Sequence, residues 1–438
     1  MKSLHRTMPI VLAVAVLAAP AACGGAPEQV EPTPGLTAFT GARLILGDGG
    51  SIESGTIVVR DGVIEAVGAS GEVAVPEDAA TVDLSGRTVT PGLINAHGHV
   101  NNVIGLEADP SFYTEEHVVN QLALYARYGV TTVVSLGGDG PEAVAVRDRE
   151  GSDLRHARIR VAGPVIVADT PEQAAERVNA AADMNVDFIK IRVDDNLGAT
   201  EKMTPEVYQA VIDTAHERGL KLTAHMYYLD DAKALMNAGA DFLAHSVRDV
   251  DVDQELIDLL TASDICYCPT LMREVSTYVY EERPDWFDEE FFLKDADAEV
   301  IAALEDPERQ ERTRNSSSAQ TYKAQLPTAM RNVKALHDAG VRIAMGTDTG
   351  PAARFQGYFE HGELDLMVES GLTPMQTIVA STRDAAACLD LDGVGTLEAG
   401  NFADFVVYTA NPAEDIRNSR TIESVWIAGN EVPGVAED

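Results

Sequence analysis

The chain is short of basic residues, with 33 lysines and arginines against 70 aspartates and glutamates and a formal net charge of −37. Proteins that bind nucleic acids neutralise phosphates with basic patches. This composition therefore argues against a nucleic-acid partner. The acidic excess is interpreted more simply as a highly solvated surface.

Cysteine is also scarce: besides Cys23 the chain has only Cys266, Cys268 and Cys388. So few cysteines do not indicate a disulfide scaffold. Cys266 and Cys268 would share one face of a strand, where two cysteines are poorly placed for a disulfide. We expect all three to be buried free thiols, and a metal site built from Cys266 and Cys268 is the alternative.

A long membrane-spanning run is missing as well. Lys2 and Arg6 precede an apolar run over residues 8–19, which is too short to cross a bilayer comfortably. Small residues and Cys23 follow, which is the layout of a secretory signal. The segment resembles a bacterial lipoprotein signal, in which the cysteine becomes the lipidated first residue. We expect a signal peptide over residues 1–22, a flexible tether over 23–35, and export to the periplasm, either anchored through Cys23 or released by ordinary cleavage.

Short β-patterns and turns fill residues 36–89 and return in residues 394–434. The dipeptide Asp61-Gly62 between two alternating runs is a strong hairpin signal. The simplest arrangement is one small β-sandwich assembled from both ends of the chain. The large central segment is then inserted between its two parts.

The central segment, residues 90–393, alternates strands with amphipathic helices, which predicts parallel βα units and an α/β fold. Capping signals predict one helix from Pro205 to just before Gly219 and another from Thr373 through Ala387. An acidic, aromatic stretch over about 272–327 predicts extra helices covering the barrel mouth. Eight predicted strands fit a TIM-like (β/α)8 barrel: Val89–Ala96, Val130–Leu136, Arg158–Gly163, Phe188–Val193, Lys221–His225, Phe242–His245, Ile265–Pro269 and Arg342–Met345.

The carboxyl ends of these strands carry the residues that we single out, because active sites of such barrels are built there. His97 and His99 end the first strand and, as residues i and i+2 of an extended chain, face the same way. Four of the ten histidines fall at equivalent positions, which makes chance clustering a poor explanation. The full set is His97, His99, Lys190, His225, His245 and Asp348.

Several of these segments resemble the amidohydrolase superfamily. They read TPGLINAHGH from Thr90, DFIKI from Asp187, TAH from Thr223, LAHS from Leu243 and MGTD from Met345. Within that superfamily the chain is similar to the branch with imidazolonepropionase and the metal-dependent Xaa-Pro and Xaa-Arg dipeptidases. The likeness covers nearly all of the chain after Leu36.

The resemblance implies a two-metal centre. His97, His99 and Asp348 would hold one divalent ion, expected to be zinc, and His225 and His245 a second. Lys190, carbamylated by carbon dioxide, would bridge them, and a bridging hydroxide would attack the substrate. Asp348 would act as general base and then acid. The alternatives are a structural Lys190 paired with Asp187 or Asp194, and a turn-capping Asp348.

Residues beyond these ligands are candidates for the substrate pocket. Tyr227 could donate to a developing oxyanion or be a packed barrel tyrosine, and Tyr228 could line the pocket or be an exposed loop residue. The guanidinium of Arg192 would suit a substrate carboxylate, and Arg248 and Arg273 are further candidates. For each arginine, an ion pair with a neighbouring acid is the alternative.

The leading hypothesis is therefore an exported hydrolase that cleaves an amide bond in a small molecule, such as a dipeptide or an N-acyl amino acid. One alternative is a cyclic-amide hydrolase or deaminase of the imidazolonepropionase type, which one metal ion often serves. Another is a ligand-binding lipoprotein on an inactive scaffold. The oligomeric state is open.

Overall fold

The computed structural model describes Met1 and residues 33–263 and 265–435. The signal peptide, Cys23 and nearly all of the expected tether lie outside the described residues. The strands are β1 Leu36–Ile45, β2 Ser51–Arg60, β3 Val63–Ala69, β4 Ala80–Asp83, β5 Thr88–Pro91, β6 Leu93–Gly98, β7 Val103–Ile104, β8 Glu107–Ala108, β9 Val130–Ser135, β10 Arg158–Val161, β11 Val165–Ile166, β12 Phe188–Arg192, β13 Lys221–His225, β14 Phe242–Ala244, β15 Cys266–Cys268, β16 Phe405–Tyr408, β17 Ile422–Ile427 and β18 Asn430–Glu431.

The helices lie in the central segment, and both the shortest and the longest of them follow β15. They are α1 Glu115–Arg127, α2 Pro141–Arg147, α3 Pro171–Asp183, α4 Pro205–Glu217, α5 Leu229–Ala238, α6 Gln254–Thr261, α7 Leu271–Tyr278, α8 Glu290–Leu293, α9 Ala298–Leu304, α10 Pro307–Arg314, α11 Ser317–Asp338, α12 Tyr358–Glu369, α13 Pro374–Ala380 and α14 Arg383–Cys388. In the part of the chain that the structure describes, no helix is both long and apolar enough to cross a membrane.

Strands from both ends of the chain form one hydrogen-bonded sheet, in the order β18-β17-β16-β5-β1-β2-β3, with β4 on β1. The two ends meet where β5 pairs antiparallel with β16, with Pro91 opposite Phe405. The expected hairpin is present, since β2 and β3 pair antiparallel and Asp61 and Gly62 both have positive φ. Apolar side chains from both ends share one core, in which Phe39 packs against Phe405. The composite β-domain is thus confirmed.

The central strands form a parallel barrel. Its two sheets are β10-β9-β6 and β11-β12-β13-β14-β15. The segment that follows α11 closes the gap between β15 and β6: Ala344 N donates to the carbonyl of Tyr267 at 3.0 Å, and Ala96 N donates to that of Met345 at 2.9 Å. The predicted barrel fold is confirmed.

Two predicted strands differ from the observed ones. The predicted strand Val89–Ala96 is divided at Gly92 between the two domains, because Gly92 N bonds to Asp404 in one and Leu93 N to Gly129 in the other. A Cβ at Gly92 would lie 2.0 Å from Oγ1 of Thr131, so only glycine fits this crossing. The predicted eighth strand is reduced to one bridge at Ile343, because the chain turns soon afterwards.

The predicted helix from Thr373 through Ala387 is also wrong as a single element, since it is two helices, α13 and α14. They are separated at Ser381 and Thr382. The break leaves the carbonyl of Ser381 free to accept a hydrogen bond from Ile94 N of the barrel, at 2.8 Å. Tertiary contact with β6 therefore overrides the local helical pattern. The helix predicted before Gly219 is confirmed as α4.

The cysteine prediction is only partly right. Cys268 is free and buried as expected, but Cys266 and Cys388 form a disulfide across 122 residues of sequence. The bond becomes possible because α14 returns to the amino-terminal end of the barrel strands. There both cysteines join a buried cluster with Phe188 and Phe242. Spacing along the chain gave no sign of this approach.

The segment after β15 carries extra helices, α7 to α11. Its aromatic residues pack with Tyr128, Tyr358 and Phe359 in a separate buried cluster. From α11, Gln325 accepts a hydrogen bond from the hydroxyl of Tyr227. The insert therefore reaches the residues that follow the fifth barrel strand.

Candidate metal centre

His97, His99 and Asp348 converge at one end of the barrel. Their potential ligand atoms all lie within 4.8 Å of one another. Nε2 of His99 is 2.8 Å and Nε2 of His97 is 3.7 Å from Oδ1 of Asp348. The approach depends on the turn after the closing segment, where the amides of Thr347 and Asp348 both donate to the carbonyl of His97. Asp348 has a φ of +59°, which is uncommon for a residue other than glycine.

Lys190 lies beside this group. Its Nζ is 3.4 Å from Nε2 of His97, and the side chain is buried. No carboxylate among the described residues forms an ion pair with Lys190, because Asp187 bonds to Arg147 and Asp194 bonds to His225. Burial lowers the pKa of Lys190 to about 8. This environment differs from the structural ion pair that was the alternative for Lys190.

His225 and His245 pack against each other and against His97. Their ring centroids are 4.2 Å apart, and the ring of His245 is 4.6 Å from that of His97. His225 ends β13, directly beside Ala244, the last residue of β14. His245 follows with a φ of +76°. All four histidines of the sequence-based set are thus neighbours in space.

Three of these rings have one nitrogen hydrogen-bonded to a group outside the candidate ligand set, which leaves the other nitrogen for a metal ion. Nδ1 of His99 donates to the carbonyl of Gly137 at 2.9 Å. Nε2 of His225 donates to Asp194 at 2.8 Å, and Nδ1 of His245 is 2.7 Å from the hydroxyl of Thr270. Partners of this kind fix the tautomer and orientation of metal-binding histidines.

Electrostatics favour neutral imidazoles at His97, His225 and His245. Burial, reinforced by Lys190, holds the pKa of His97 well below its usual range. Burial likewise lowers the pKa of His225 to about 3 and depresses that of His245. Burial alone would raise the pKa of Asp348, but Arg354 and His99 hold it well below its usual value. Neutral imidazoles and an ionised carboxylate are the forms that bind metals.

The donor set fits divalent ions. Imidazole nitrogens and a carboxylate oxygen are ligands that suit zinc and related metals. His97, His99 and Asp348 can hold one ion. His225 and His245 could together hold a second ion.

The two tyrosines after β13 are less open than the pocket hypothesis expected. Tyr227 is buried, its hydroxyl donates to Gln325, and burial raises its pKa to about 12. Tyr228 donates to Asp195 at 2.9 Å and packs under the ammonium of Lys202. Both hydroxyls thus have partners within the protein.

Arg192 points into an open cavity of about 530 Å³ that Asp194 also lines. Its side chain is 40% exposed, and its guanidinium contacts Asp194 and Asn196. The ion pair that was the alternative for Arg192 is therefore present. Its exposure still leaves it within reach of a ligand.

Arg248 and Arg273 differ from Arg192 in burial. Arg248 is fully buried and pairs with Glu274, with Nε 3.0 Å from Oε1. A fully buried, paired guanidinium matches the ion-pair alternative and not a direct substrate contact. Arg273 pairs with the same carboxylate at 3.1 Å and remains slightly exposed.

The structure adds residues that were not singled out as functional from the sequence. Asp194 and Thr270 hold the rings of His225 and His245, and Arg354 donates to Oδ2 of Asp348. Asp194 could have been found, because it continues the alternating series from Lys190 through Arg192 along one strand face. Thr270 and Arg354 come from loops and carry no comparable signal.

Comparison with known proteins supports the predicted superfamily along most of the chain. The model of the amidohydrolase family matches residues 88–432. Imidazolonepropionase from Pseudomonas syringae pv. tomato is 25% identical, over 86% of this chain and 92% of that protein. The predicted superfamily is thereby confirmed.

Solved structures agree with this match. A crystal structure from Bifidobacterium longum, provisionally assigned as a prolidase, is 27% identical with a TM-score of 0.74, covering 93% of this chain and 95% of that one. A Xaa-Pro dipeptidase with bound methionine is 22% identical with a TM-score of 0.72, covering 90% and 99%. The second likeness shows the shared fold.

Proposed function

The chain belongs to the amidohydrolase family and is a hydrolase of carbon–nitrogen bonds, and we propose that it cleaves an amide in a small molecule with two divalent metal ions. The observation that carries this proposal is the convergence of His97, His99 and Asp348 beside Lys190, which is buried and forms no ion pair with a carboxylate of the described residues. Both ions are proposed to be zinc. Lys190 is proposed to carry a carbamate, since a lysine ammonium cannot itself ligate a cation.

Bound ions of this kind supply a nucleophile from water at neutral pH and polarise the carbonyl. A side chain of the protein transfers the proton that this water loses. Asp348 has one oxygen near His99 and the other held by Arg354. It accepts the proton of the attacking water and returns it to the leaving nitrogen, as general base and then acid. Asp194 and Thr270 keep the rings of His225 and His245 in place.

The proposed substrates are dipeptides or N-acyl amino acids. Support comes from the resemblance to a provisionally assigned prolidase across nearly the whole chain. The resemblance to imidazolonepropionase supports a second candidate, a cyclic-amide hydrolase or deaminase. Lys190 favours the first, because a bridging carbamate is unnecessary when one ion serves the reaction.

Metal content and turnover test this proposal together. We expect wild-type protein reconstituted with zinc and bicarbonate to hold two ions per chain and to hydrolyse members of a panel of dipeptides, N-acetyl amino acids and lactams. Lys190→Ala should lose one ion and most activity, whereas Lys334→Ala, a change of a partly exposed lysine on α11, should lose neither. A single ion per chain in both wild type and Lys190→Ala would overturn the two-metal centre.

The panel also tests whether the chain is a catalyst at all. Asp348→Asn should abolish turnover because it removes a metal ligand and the general base. Equal rates for wild type and Asp348→Asn across the whole panel would instead favour a non-catalytic ligand-binding protein. Turnover of lactams alone, with one ion bound, would favour the imidazolonepropionase-like alternative.

We further propose that the protein is exported and carries a lipid on Cys23. The disulfide between Cys266 and Cys388 supports export, since disulfides persist in oxidising compartments. Expression of the full chain in a bacterium should place it in the membrane fraction, and Cys23→Ala should release it from that fraction. Wild-type protein in the soluble cytosolic fraction would contradict both the export and the lipid on Cys23.

A further inference from the structure

Two fully buried carboxylates, Glu360 and Glu363, lie on α12, and neither is among the candidate metal ligands. They are three residues apart, a spacing that places side chains on the same face of a helix. Burying a carboxylate is costly unless hydrogen bonds compensate the loss of water. The donors that each carboxylate meets therefore indicate what it does.

Glu360 accepts three hydrogen bonds at one oxygen. Its Oε1 lies 2.6 Å from Nδ2 of Asn95, 2.8 Å from Oγ1 of Thr347 and 2.6 Å from Oγ1 of Thr349. The other oxygen, Oε2, is buried and has no hydrogen-bond partner among the described residues. Oε1 is thus the atom through which Glu360 acts, and it fixes where the three donor side chains lie.

The three donors lie beside two candidate ligands. Oδ1 of Asn95 accepts a hydrogen bond from the amide of His97 at 3.0 Å, and the two threonines flank Asp348. Asp348 has a positive φ, which a residue other than glycine keeps only where its surroundings hold it. Glu360 provides such a hold, because it joins the residues on both sides of Asp348 to strand β6, which carries His97.

Glu363 meets the chain next to the other pair of histidines. Its two oxygens accept hydrogen bonds from the amide of Leu271 at 2.8 Å and that of Met272 at 2.6 Å. The preceding residue, Thr270, has a φ of +48°, which is an outlier for a β-branched side chain. Its hydroxyl is 2.7 Å from Nδ1 of His245. Glu363 therefore fixes the backbone directly after the threonine that holds His245.

We propose that these two carboxylates position the two halves of the metal centre separately. Glu360 shapes the first site, to which His97 and Asp348 belong, and Glu363 shapes the second site, to which His245 belongs. This inference rests on the proposed two-metal function and assigns a task to two residues that are not ligands. Both act from one helix, so α12 aligns two ligand sets that come from different barrel strands.

Metal titration of chelator-treated protein tests each half. Glu360→Met should weaken binding of one ion by about 10-fold, the lower end of the range for partners that orient ligands, because Glu360 acts through its neighbours. Glu360→Gln should restore that affinity, since its amide keeps an oxygen for the three donors. Glu363→Met should also weaken one ion. Glu369→Gln, which changes an exposed acid at the end of α12, should weaken neither.

A second change identifies the ion that each carboxylate serves. Asp194→Asn is expected to weaken the second site, because Asp194 holds the ring of His225. Glu363→Met combined with Asp194→Asn should therefore still bind one ion as tightly as wild type. Glu360→Met combined with Asp194→Asn should weaken both ions. The reverse pattern, or weakening of both ions by either single glutamate variant, would overturn the separate roles.

Milder variants keep the test decisive if a methionine variant does not fold. Thr347→Val removes one donor to Glu360 at nearly constant volume and should weaken the first ion. Glu363→Gln turns an NH2 group towards a backbone N–H and should weaken the second. Two ions bound with wild-type affinity in the folded variants of either glutamate, or an equal loss in Glu360→Gln and Glu360→Met, would overturn the positioning role and leave the hydrolase intact.

A single ion in wild type would instead overturn the two-metal function. Glu360 remains testable in that case, because His97, His99 and Asp348 would be the ligands of that ion. Glu360→Met should then weaken it, and Glu363→Met should not. Equal affinity in Glu360→Met and wild type would exclude the role of Glu360 as well.

Discussion

Asp194 accepts a hydrogen bond from Nε2 of His225 at 2.8 Å, and its side chain is fully buried. This contact leaves Nδ1 of His225 as the nitrogen that can meet a metal ion. Hydrogen bonding to His225 holds the pKa of Asp194 below its usual range, although burial opposes that shift. An ionised carboxylate is therefore available to hold the imidazole in one tautomer.

Asp194→Asn should weaken metal binding at the second site. The amide can still accept from Asn196 N, but it no longer offers a charged acceptor to His225. Loss of such a partner typically costs roughly 10–100-fold in metal affinity or activity. Metal titration of the chelator-treated protein should show weaker binding of one ion and unchanged binding of the other.

The chain offers a matched control for this variant. Asp241 accepts a hydrogen bond from His216 at 2.9 Å in the same way, but that histidine is largely exposed and is not among the metal ligands. Asp241→Asn should leave both metal affinities unchanged. Equal metal affinities in Asp194→Asn and wild type would show that Asp194 does not position His225.

His361 should contribute to acid destabilisation. It is buried between Ser419 and the carbonyl of Tyr128, both at 2.8 Å, and burial with help from Arg420 lowers its pKa to about 3. Between about pH 6.5 and pH 3 the unfolded chain binds a proton that the folded chain does not. The free energy of unfolding should therefore fall by about 5 kcal/mol as the pH falls across this window.

His361→Gln tests that contribution, because glutamine can keep both hydrogen bonds but does not titrate. Denaturant unfolding of metal-free protein from pH 7 to pH 4 should show a shallower loss of stability in the variant. His337→Gln, which changes a partly exposed histidine of α11, should follow the wild-type curve. Parallel curves for His361→Gln and wild type would mean that the buried imidazole titrates normally.

The disulfide should stabilise the barrel without affecting the metal centre. It lies at the amino-terminal end of the strands, whereas the ligands lie at the carboxyl end. Cys266→Ala combined with Cys388→Ala should lower the free energy of unfolding by about 2–5 kcal/mol. Metal content should not change. In denatured wild type, alkylation before reduction should label Cys268 but neither bonded cysteine, and labelling of all three would contradict the disulfide.

A buried ion pair between Arg158 and Asp404 should join the barrel to the composite sheet. Nε of Arg158 is 2.6 Å from Oδ2 of Asp404, and both side chains are almost fully buried. Arg158→Met leaves the carboxylate unpaired, which should cost about 3–5 kcal/mol of unfolding free energy. The exposed pair of Arg331 and Asp251 provides the comparison, since Arg331→Met should cost less than about 1 kcal/mol. Similar losses of unfolding free energy in both variants would show that the pair of Arg158 and Asp404 does not join the barrel to the composite sheet.

Much of the fold and the clustering of the candidate ligands could be predicted from the sequence, because these features follow from periodicity and position. Alternating strands and helices predicted the barrel, and strand ends predicted where His97, Lys190, His225 and His245 meet. Errors arose where a distant contact overrides a local pattern. The carbonyl of Ser381 accepts a hydrogen bond from Ile94 N, which interrupts the predicted helix. Gly92 lies where the chain crosses from one sheet to the other.

The sequence by itself determined which residues end the parallel strands, and with them the candidate metal ligands, because strand order in a barrel fixes which strand ends lie side by side. Only the tertiary structure decided the partners of those residues. Asp194 on His225, Arg354 on Asp348 and the bond between Cys266 and Cys388 join segments whose approach depends on how loops and helices pack.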